Sequence, residues 1–516
     1  MTTFHYGQDQ LTAGIALQIC RGQRPAQLSN DSWERVERSA KIVRNLAQGE
    51  AAVYGINTGF GPLCSTKISA SDTAKLQHNL LTSHSVGVGA AVPEEVARLM
   101  LILKVHALSQ GYSGISPATL KRILWLIEQS ITPVVPRQGS VGASGDLAPL
   151  AHLFLPLIGL GRVVYKNEVV PTGQMLQAEG MEPLELQPKE GLALINGTQF
   201  IAAYAVQVVE RLHRCLSQAD LIGAMMVEGL LGSAAPFHPE LHALRPYAGN
   251  RHVAGRIRRL LEGSSINASH SGCDRVQDPY SLRCIPQVHG ASRTAWLHLR
   301  ECLEVELNAV TDNPVVWSEE LTISGGNFHG QPMALPLDYA ALAGAELGNV
   351  SDRRSYLSLT GIDGAVPKLL MKETGTNSGF MILQYTAAAL VSENKGLCFP
   401  ASADSITTSL GQEDHVSMGS IGGRKALRIT ENLEQILAIE LVCAAQAMDF
   451  QRPLKSTPIV EAMHERVRAA ITHAEADRVF AEDIGQAARL LQNGELLSIA
   501  QSHGLQTEWD DQFEHY

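Results

Sequence analysis

A serine between two small residues lies in a glycine-rich run at residues 139–152, GSVGASGDLAPLAH. If the amide nitrogen of Gly145 attacks the carbonyl carbon of Ala143, a five-membered ring closes. Loss of water from this ring, and of a second water from the Ser144 hydroxyl, leaves a methylidene group conjugated to an imidazolone. Gly145 has no Cβ, so its backbone can adopt the close approach that ring closure requires. The segment Ala143-Ser144-Gly145 can therefore form a strong electrophile without any added molecule.

Two other uses of such a loop fit the sequence less well. A glycine-rich loop before a helix can bind a phosphate, but no lysine follows this loop as a P-loop requires. The stretch GASGD also begins like the nucleophile elbow G-x-S-x-G, but Asp146 stands in place of the last glycine. A helical binding protein whose loop holds an anion and never cyclises remains the alternative from another functional class.

The run at 139–152 resembles the signature of the aromatic amino acid ammonia-lyase family, whose members carry this electrophile, the methylidene-imidazolone (MIO) group. Four further segments are similar to family motifs, at residues 54–61 (YGINTGFG), 194–199 (LINGTQ), 276–284 (VQDPYSLRC) and 324–329 (SGGNFH). The similarity thus covers nearly the whole chain. It implies removal of ammonia from an α-amino acid through an MIO group formed from residues 143–145, with no external cofactor and no metal.

The resemblance also implies roles for residues in these segments. Tyr54 occupies the acid/base position, although a phenol with a pKa near 10 needs its charge stabilised to act as a base at neutral pH. Arg283 would bind the substrate carboxylate with its planar, bidentate fork, with Tyr280 three residues before it and Gln277 just ahead. Tyr54 is the first candidate for removing the β-proton, and Tyr280 and Glu413 are its rivals.

Three more residues are expected to support the electrophile. An amide such as Asn196 can donate and accept hydrogen bonds at once, which suits an imidazolone oxygen beside an amine. Phe328 stands where the family packs an aromatic ring near the electrophile. Asp146 follows the cyclising segment directly and is assigned a supporting role.

Two positions predict which amino acid is used. His84 and Glu413 match a histidine and a glutamate of the members that act on histidine, and both could pair with the nitrogens of an imidazole. A phenyl ring would leave these groups unpaired, at roughly 1–3 kcal/mol per group. Gly330-Gln331, in contrast, resembles the tyrosine and phenylalanine branch. We predict conversion of L-histidine to trans-urocanate, with a tyrosine or phenylalanine ammonia-lyase or an aminomutase as the alternative.

Composition excludes several classes of protein. The chain has 516 residues, 45% hydrophobic and 18% charged, which is typical of a globular protein with a large core. Its net charge of −11 argues against a nucleic-acid partner, and the stretch HERVR at 464–468 lacks the second histidine of a zinc motif. Eight cysteines without a C-x-x-C pair, and an N-terminus unlike a signal peptide, predict a cytoplasmic protein with reduced thiols. The apolar run at 221–227 is bounded by acidic residues, so no membrane span is expected.

Helical periodicity dominates the chain. It predicts a helix that begins at Pro93-Glu94-Glu95, a helix that ends by 312–314 and a core helix from about 427 to 448, with one hairpin over 163–170. We predict a mainly α fold and a single lyase unit over 1–516, in which a smaller loop-rich N-terminal part, 1–199, carries the MIO loop. Residues 200–516 form a long antiparallel central helix bundle and C-terminal helices. The family resemblance implies a homotetramer whose sites each draw residues from three chains.

Overall fold

The computed structural model describes residues 2–59, 68, 72–272 and 274–516. The described helices are α1 (Ala13–Cys20), α2 (Asn30–Gln48), α3 (Thr73–His84), α4 (Glu94–Leu108), α5 (Pro117–Glu128), α6 (Leu147–Phe154), α7 (Thr172–Ala178), α8 (Glu190–Ile195), α9 (Gln199–Gly229), α10 (Pro239–Ala243), α11 (Ala248–Leu261), α12 (Ser265–Ser269), α13 (Tyr280–Arg283), α14 (Ile285–Leu307), α15 (Gln331–Leu359), α16 (Met381–Leu397), α17 (Gly419–Asp449), α18 (Pro458–Ala470), α19 (Phe480–Gln492), α20 (Glu495–Ser502) and α21 (Asp510–Phe513). The mainly α prediction is confirmed.

The strands among the described residues are short and lie in four small sheets. They are β1 (Phe4–Tyr6), β2 (Ala26–Leu28), β3 (Val88–Ala91), β4 (Thr132–Pro133), β5 (Pro136–Gln138), β6 (Arg162–Tyr165), β7 (Glu168–Pro171), β8 (Val315–Val316) and β9 (Thr322–Ile323). Strand β1 pairs with β2 in parallel, whereas β3 with β5, β4 with β6, β6 with β7 and β8 with β9 are antiparallel. The predicted hairpin is β6–β7, and Lys166 and Asn167 form its turn at φ values of 52° and 65°. Positive φ at both turn residues gives the twist that a two-residue hairpin needs.

The chain divides into two compact units, each assembled from separate stretches of sequence. The first comprises Met1–Gln207, Arg300–Asp338 and Pro400–Arg424, and the second comprises Val208–Leu299, Tyr339–Phe399 and Lys425–Tyr516. The boundaries at residues 207, 299, 338 and 424 fall inside the four long helices α9, α14, α15 and α17. The proposed single lyase unit, divided near residue 199, stays a prediction.

In the second unit, α9, α14 and α15 run antiparallel in succession. The carbonyl of Val209 on α9 accepts from Trp296 Nε1 on α14 at 2.9 Å, and further along α9 Asp220 binds His289 Nδ1 at 2.8 Å. Helix α15 returns along α14, because Ser292 Oγ donates to the Ala343 carbonyl at 3.1 Å and the earlier residue His289 lies 3.4 Å from the Arg354 guanidinium. Helix α17 adds a direct guanidinium–carboxylate contact from Arg354 to Glu440. The contacts are those expected of a packed helix bundle.

In the first unit, α4 forms the centre of the core. It begins after Pro93, as predicted, with Glu94 and Glu95 in its first turn, where negative charge favours the helix dipole. From Leu99 to Leu108 every residue of α4 is buried, including Lys104. A rigid, fully packed helix of this kind can support the loops around it.

Other sequence predictions concern cysteines and membranes. Six of the eight cysteines lie in the described part of the chain and carry free thiols, while Cys64 and Cys273 lie outside it. Among the described helices, none combines the length and the apolar character needed to cross a membrane.

Candidate active site

The cyclising segment is bent in the structure. Ala143 and Gly145 form an antiparallel bridge with each other, and Gly145 has a φ of +76°. A Cβ on Gly145 would lie only 2.1 Å from the Gly197 carbonyl oxygen, so no larger residue fits. Ala143 and Gly145, the residues that must join, are therefore held next to each other, and only glycine fits at position 145. This arrangement fits the MIO group.

The residues before the start of α17 hold the loop from one side. Met418 N donates to the Val141 carbonyl at 2.9 Å, and Ser417 Oγ donates to the Gly142 carbonyl at 3.0 Å. Because these bonds fix the peptides before Ala143, the loop depends on a segment more than 270 residues away in sequence.

Asp146 holds the loop from the other side. It is fully buried, and its carboxyl accepts from Ser140 Oγ at 2.9 Å and from the Ile201 amide at 3.0 Å. Its own amide donates to the Gly197 carbonyl at 2.7 Å. Burial raises the pKa of Asp146 to about 7. The carboxyl thus ties the MIO segment to the start of α9.

Ser144 lies between a carboxylate and an amide. Its Oγ donates to Glu413 Oε1 at 2.6 Å, and its carbonyl oxygen accepts from Asn196 Nδ2 at 2.7 Å. The second oxygen of Glu413 accepts from Thr408 Oγ1 at 2.8 Å and from Ser409 Oγ at 3.0 Å. The amide oxygen of Asn196 is buried and has no hydrogen-bond partner among the described residues. An orphaned buried acceptor of this kind favours binding of a donor such as an amine.

His84 is the last residue of α3 and is half-buried. Its Nδ1 lies 3.0 Å from Ser83 Oγ. Burial lowers the pKa of His84, while the backbone of Leu80 and the charge of Glu413 act in the opposite direction. The imidazole is therefore neutral at neutral pH and can donate one hydrogen bond and accept another.

These side chains surround a cavity of about 1200 Å³ in the first unit. Its described lining includes the sequence-predicted residues Tyr54, His84, Ala143, Ser144, Asn196, Phe328 and Glu413. Tyr54 stands on a turn in which Gly55, at a φ of +71°, donates its amide to Thr58 Oγ1 at 3.2 Å. Phe60 and Gly61 of the same motif lie outside the described residues. The cavity combines a bent precursor of an electrophile with polar groups for an amino acid.

Gln277, Tyr280 and Arg283 belong to the second unit and are not in the described lining of this cavity. Tyr280 is 71% exposed, and the Arg283 guanidinium lies 4.6 Å from the centre of its ring. Both residues lie on α13, where a spacing of three residues brings their side chains together. Arg283 Nε is buried without a hydrogen-bond partner in the described part of the chain.

The structure shows where Gly330-Gln331, the pair that resembles the tyrosine and phenylalanine branch of the family, lies. Neither residue contributes to the described lining of the cavity. A Cβ on Gly330 would lie 2.7 Å from both Ile201 Cδ1 and Ser417 Oγ. The backbone amide of Gln331 donates to His329 Nδ1 at 3.3 Å. Gly330 thus serves close packing at the start of α15.

Sequence reasoning missed Lys104. Its Nζ is buried and donates to the Asn196 carbonyl at 2.6 Å, with Gln199 Oε1 at 3.4 Å. Burial lowers the pKa of Lys104 to about 7. The available signal was a lysine inside an otherwise apolar stretch of helix, which is uncommon without a buried partner.

Two histidines of the cavity were also missed. The rings of His329 and His415 are stacked with centroids 5.7 Å apart. Because His329 Nδ1 accepts from the Gln331 amide, its Nε2 donates to the His415 carbonyl, at 3.2 Å. His329 thereby holds the chain segment that carries Glu413. His329 ends the motif at 324–329, and His415 lies two residues after Glu413.

Comparisons with known proteins identify the family of the chain. Residues 11–469 match the family model described as aromatic amino acid lyase. Histidine ammonia-lyase from Myxococcus xanthus is 45% identical over 96% of this chain and 97% of its own length. Histidine ammonia-lyase from Anaeromyxobacter dehalogenans is 47% identical over 96% of this chain and all of its own length.

Solved structures show the same fold. The crystal structure of histidine ammonia-lyase from Trypanosoma cruzi has a TM-score of 0.91 and 39% identity, and covers 99% of this chain and 97% of its own. Tyrosine aminomutase from Streptomyces globisporus has a TM-score of 0.91 and 34% identity, with 97% of this chain and 99% of its own covered. The family match over most of the sequence and the fold agree, and the chain belongs to the aromatic amino acid lyase family.

Proposed function

We propose that this protein is a histidine ammonia-lyase that converts L-histidine to trans-urocanate and ammonia. The observation that carries this proposal is the placement of Glu413 and His84 around the Ser144 segment in one cavity. A carboxylate and a neutral imidazole can pair with both nitrogens of a substrate imidazole. A phenyl or phenol ring would leave at least one of these groups without a partner.

We propose that residues Ala143, Ser144 and Gly145 form an MIO group. When formed, this group supplies an electrophilic methylidene carbon that turns the substrate amine into a better leaving group. Asn196 supports it from the chain, because its Nδ2 donates to the Ser144 carbonyl oxygen at 2.7 Å. That oxygen is the one that gains negative charge when an amine adds, and a fixed donor stabilises it.

The remaining residues bind and orient the substrate. The orphaned Oδ1 of Asn196 accepts a hydrogen bond from the substrate amine. Tyr54, on the cavity wall, removes the β-proton as a phenolate, with Tyr280 and Glu413 as the alternatives. Arg283 binds the carboxylate through its planar fork, with Gln277 beside it.

We further propose a cytoplasmic homotetramer in which Gln277, Tyr280 and Arg283 complete the site of another subunit. In support, Val276 is 94% exposed beside the exposed Tyr280, and the Arg283 Nε lacks a described partner. Near its start, helix α15 also exposes three apolar side chains on one face, Leu335, Tyr339 and Leu342. Such an exposed stripe is typical of a helix that packs against another subunit.

A panel of amino acids tests the proposed function. Purified protein is incubated separately with L-histidine, L-phenylalanine and L-tyrosine, and the products are identified by chromatography and mass spectrometry. We expect urocanate and ammonia from histidine alone. Cinnamate, coumarate or a β-amino acid as the main product would establish the phenylalanine, tyrosine or aminomutase alternative instead.

Intact-mass measurement tests the non-catalytic alternative. A matured chain is two waters lighter than its translated sequence, whereas an anion-binding loop that never cyclises keeps the full mass. Ser144→Ala removes the hydroxyl that must leave, so it should abolish the second water loss and the activity. Sedimentation or light scattering of the same preparation gives the number of subunits.

A further inference from the structure

We propose that Glu413 has a task before catalysis, as the acid–base catalyst that removes the Ser144 hydroxyl when the MIO group forms. This inference rests on the proposed function, because it assumes that residues 143–145 mature. It goes beyond that function by assigning the maturation chemistry to a side chain outside the cyclising segment.

The first support is the contact itself. Ser144 Oγ, the atom that must leave, lies 2.6 Å from Glu413 Oε1, which is the distance of a strong hydrogen bond to a carboxylate. The other carboxylate oxygen is held by the hydroxyls of Thr408 and Ser409 at 2.8 and 3.0 Å. The carboxylate is thus oriented with one oxygen committed to the leaving group.

The second support is the environment of the Ser144 Cα, which must lose a proton in the same elimination. The carbonyl next to this carbon accepts from Asn196 Nδ2 at 2.7 Å. A donor on that oxygen stabilises the enolate-like charge that develops as the Cα proton leaves. Asn196 is itself fixed, because Lys104 Nζ binds its carbonyl at 2.6 Å. The proton to be removed is therefore activated from one side while the leaving oxygen is held from the other.

The elimination balances without an added reagent. The carboxylate of Glu413 takes the Cα proton of Ser144, and the electron pair of the Cα–H bond becomes the Cα=Cβ double bond. The Cβ–Oγ bond breaks, and Oγ leaves as water with the proton that Glu413 returns to it. The carboxylate ends in its starting state. Ring closure by the Gly145 nitrogen releases the other water.

Maturation then changes what Glu413 can bind. Once Oγ has left, Oε1 has lost the partner that it has in the present structure, while Thr408 and Ser409 still hold Oε2. The freed oxygen is available to the imidazole of the substrate. The histidine-binding site is therefore completed by the same reaction that produces the electrophile.

Time-resolved intact mass of chains made by cell-free synthesis tests this role. Wild type should become two waters lighter. Glu413→Gln should accumulate a chain one water lighter, with loss of the second water slowed by about 100-fold, a magnitude common for general acid–base catalysis. Asp414→Asn, the same change at the next residue, should mature like wild type. Loss of both waters by Glu413→Gln at the wild-type rate would overturn the proposal.

Two further variants guard against misfolding as the cause. Glu413→Ala should regain its second water loss when formate is added, since formate replaces the missing carboxylate; lack of rescue counts against the proposal. The double change Thr408→Ala and Ser409→Ala leaves the carboxylate but removes its orientation, and should slow the same step. If wild type itself keeps its full mass, the proposed function fails. If wild type and Glu413→Gln mature alike and histidine is deaminated, only the maturation role fails.

Discussion

Replacement of His84 by leucine should weaken recognition of imidazole and improve binding of a phenyl ring. His84 lies on the cavity wall at the end of α3, and burial lowers its pKa below the ordinary value of 6.5. At neutral pH it is uncharged and offers one donor and one acceptor. Leucine has a similar volume and no polar atom, so His84→Leu removes the hydrogen bond and leaves the cavity filled.

The size of the effect follows from one polar group. In wild type a phenyl ring offers the half-buried imidazole no hydrogen bond, at a cost of about 1–3 kcal/mol, and the leucine variant removes this penalty. The ratio of the two affinities, for an imidazole and for a phenyl ligand, should then change by about 5- to 150-fold. The lowered pKa of His84 also determines where the affinity ratio should depend on pH. Because the pKa of His84 lies below its ordinary value of 6.5, protonation of His84 should change the ratio only in more acidic solution. The imidazole of the ligand titrates at about pH 6.5 on its own, so the ratio is corrected for protonation of the ligand at each pH.

Competitive inhibition measures this ratio. The inhibition constants of 3-(imidazol-4-yl)propanoate and 3-phenylpropanoate are compared in wild type and His84→Leu, with urocanate formation as the signal. The control is His78→Leu, the same substitution at an exposed position of the same helix, which should leave the ratio unchanged. A ratio that changes less than about twofold in His84→Leu, or equally in both variants, would refute the role of His84 in substrate choice.

Three further predictions concern a buried ion pair, the glycine of the cyclising segment and a buried lysine. Asp220→Asn should destabilise the protein by about 3–5 kcal/mol, because the buried Arg256 and Arg293 would then share Glu514 as their remaining counter-charge. Thermal unfolding checks this, and the exposed Glu393→Gln should cost less than about 1 kcal/mol. Gly145→Ala should keep the full translated mass with unchanged helical circular dichroism, because its Cβ meets the Gly197 carbonyl at 2.1 Å; a two-water loss would contradict the close fit. Burial lowers the pKa of Lys104 to about 7. Between about pH 7 and 10.4 the folded protein therefore binds fewer protons than the unfolded chain, and its stability should rise with pH. Lys104→Met should reduce this rise between pH 7 and 9 by up to about 3 kcal/mol, measured by denaturant unfolding at each pH, and an equal rise in both proteins would show that burial does not disfavour the charged form of Lys104.

Local elements of the fold were predictable because neighbouring residues determine them. The start of α4 after Pro93 and the turn at Lys166-Asn167 follow from proline chemistry and from residues that tolerate positive φ. The close pairing of Arg283 with Tyr280 follows from their spacing on one helical turn. Long-range pairs, such as Val209 with Trp296, depend on how helices pack, and periodicity alone does not specify their partners.

The chemistry of Ala143-Ser144-Gly145 could be inferred from the sequence because ring closure involves only three consecutive residues. The tertiary structure decided which group faces Ser144. Glu413 comes within 2.6 Å of it across 269 residues of sequence, and the Lys104 Nζ is buried against the Asn196 carbonyl. It also separated Gly330, which packs against Ile201, from the residues that line the cavity. The reason is physical: covalent geometry limits what a short segment can do, whereas contacts between distant segments arise only when the apolar core brings them together.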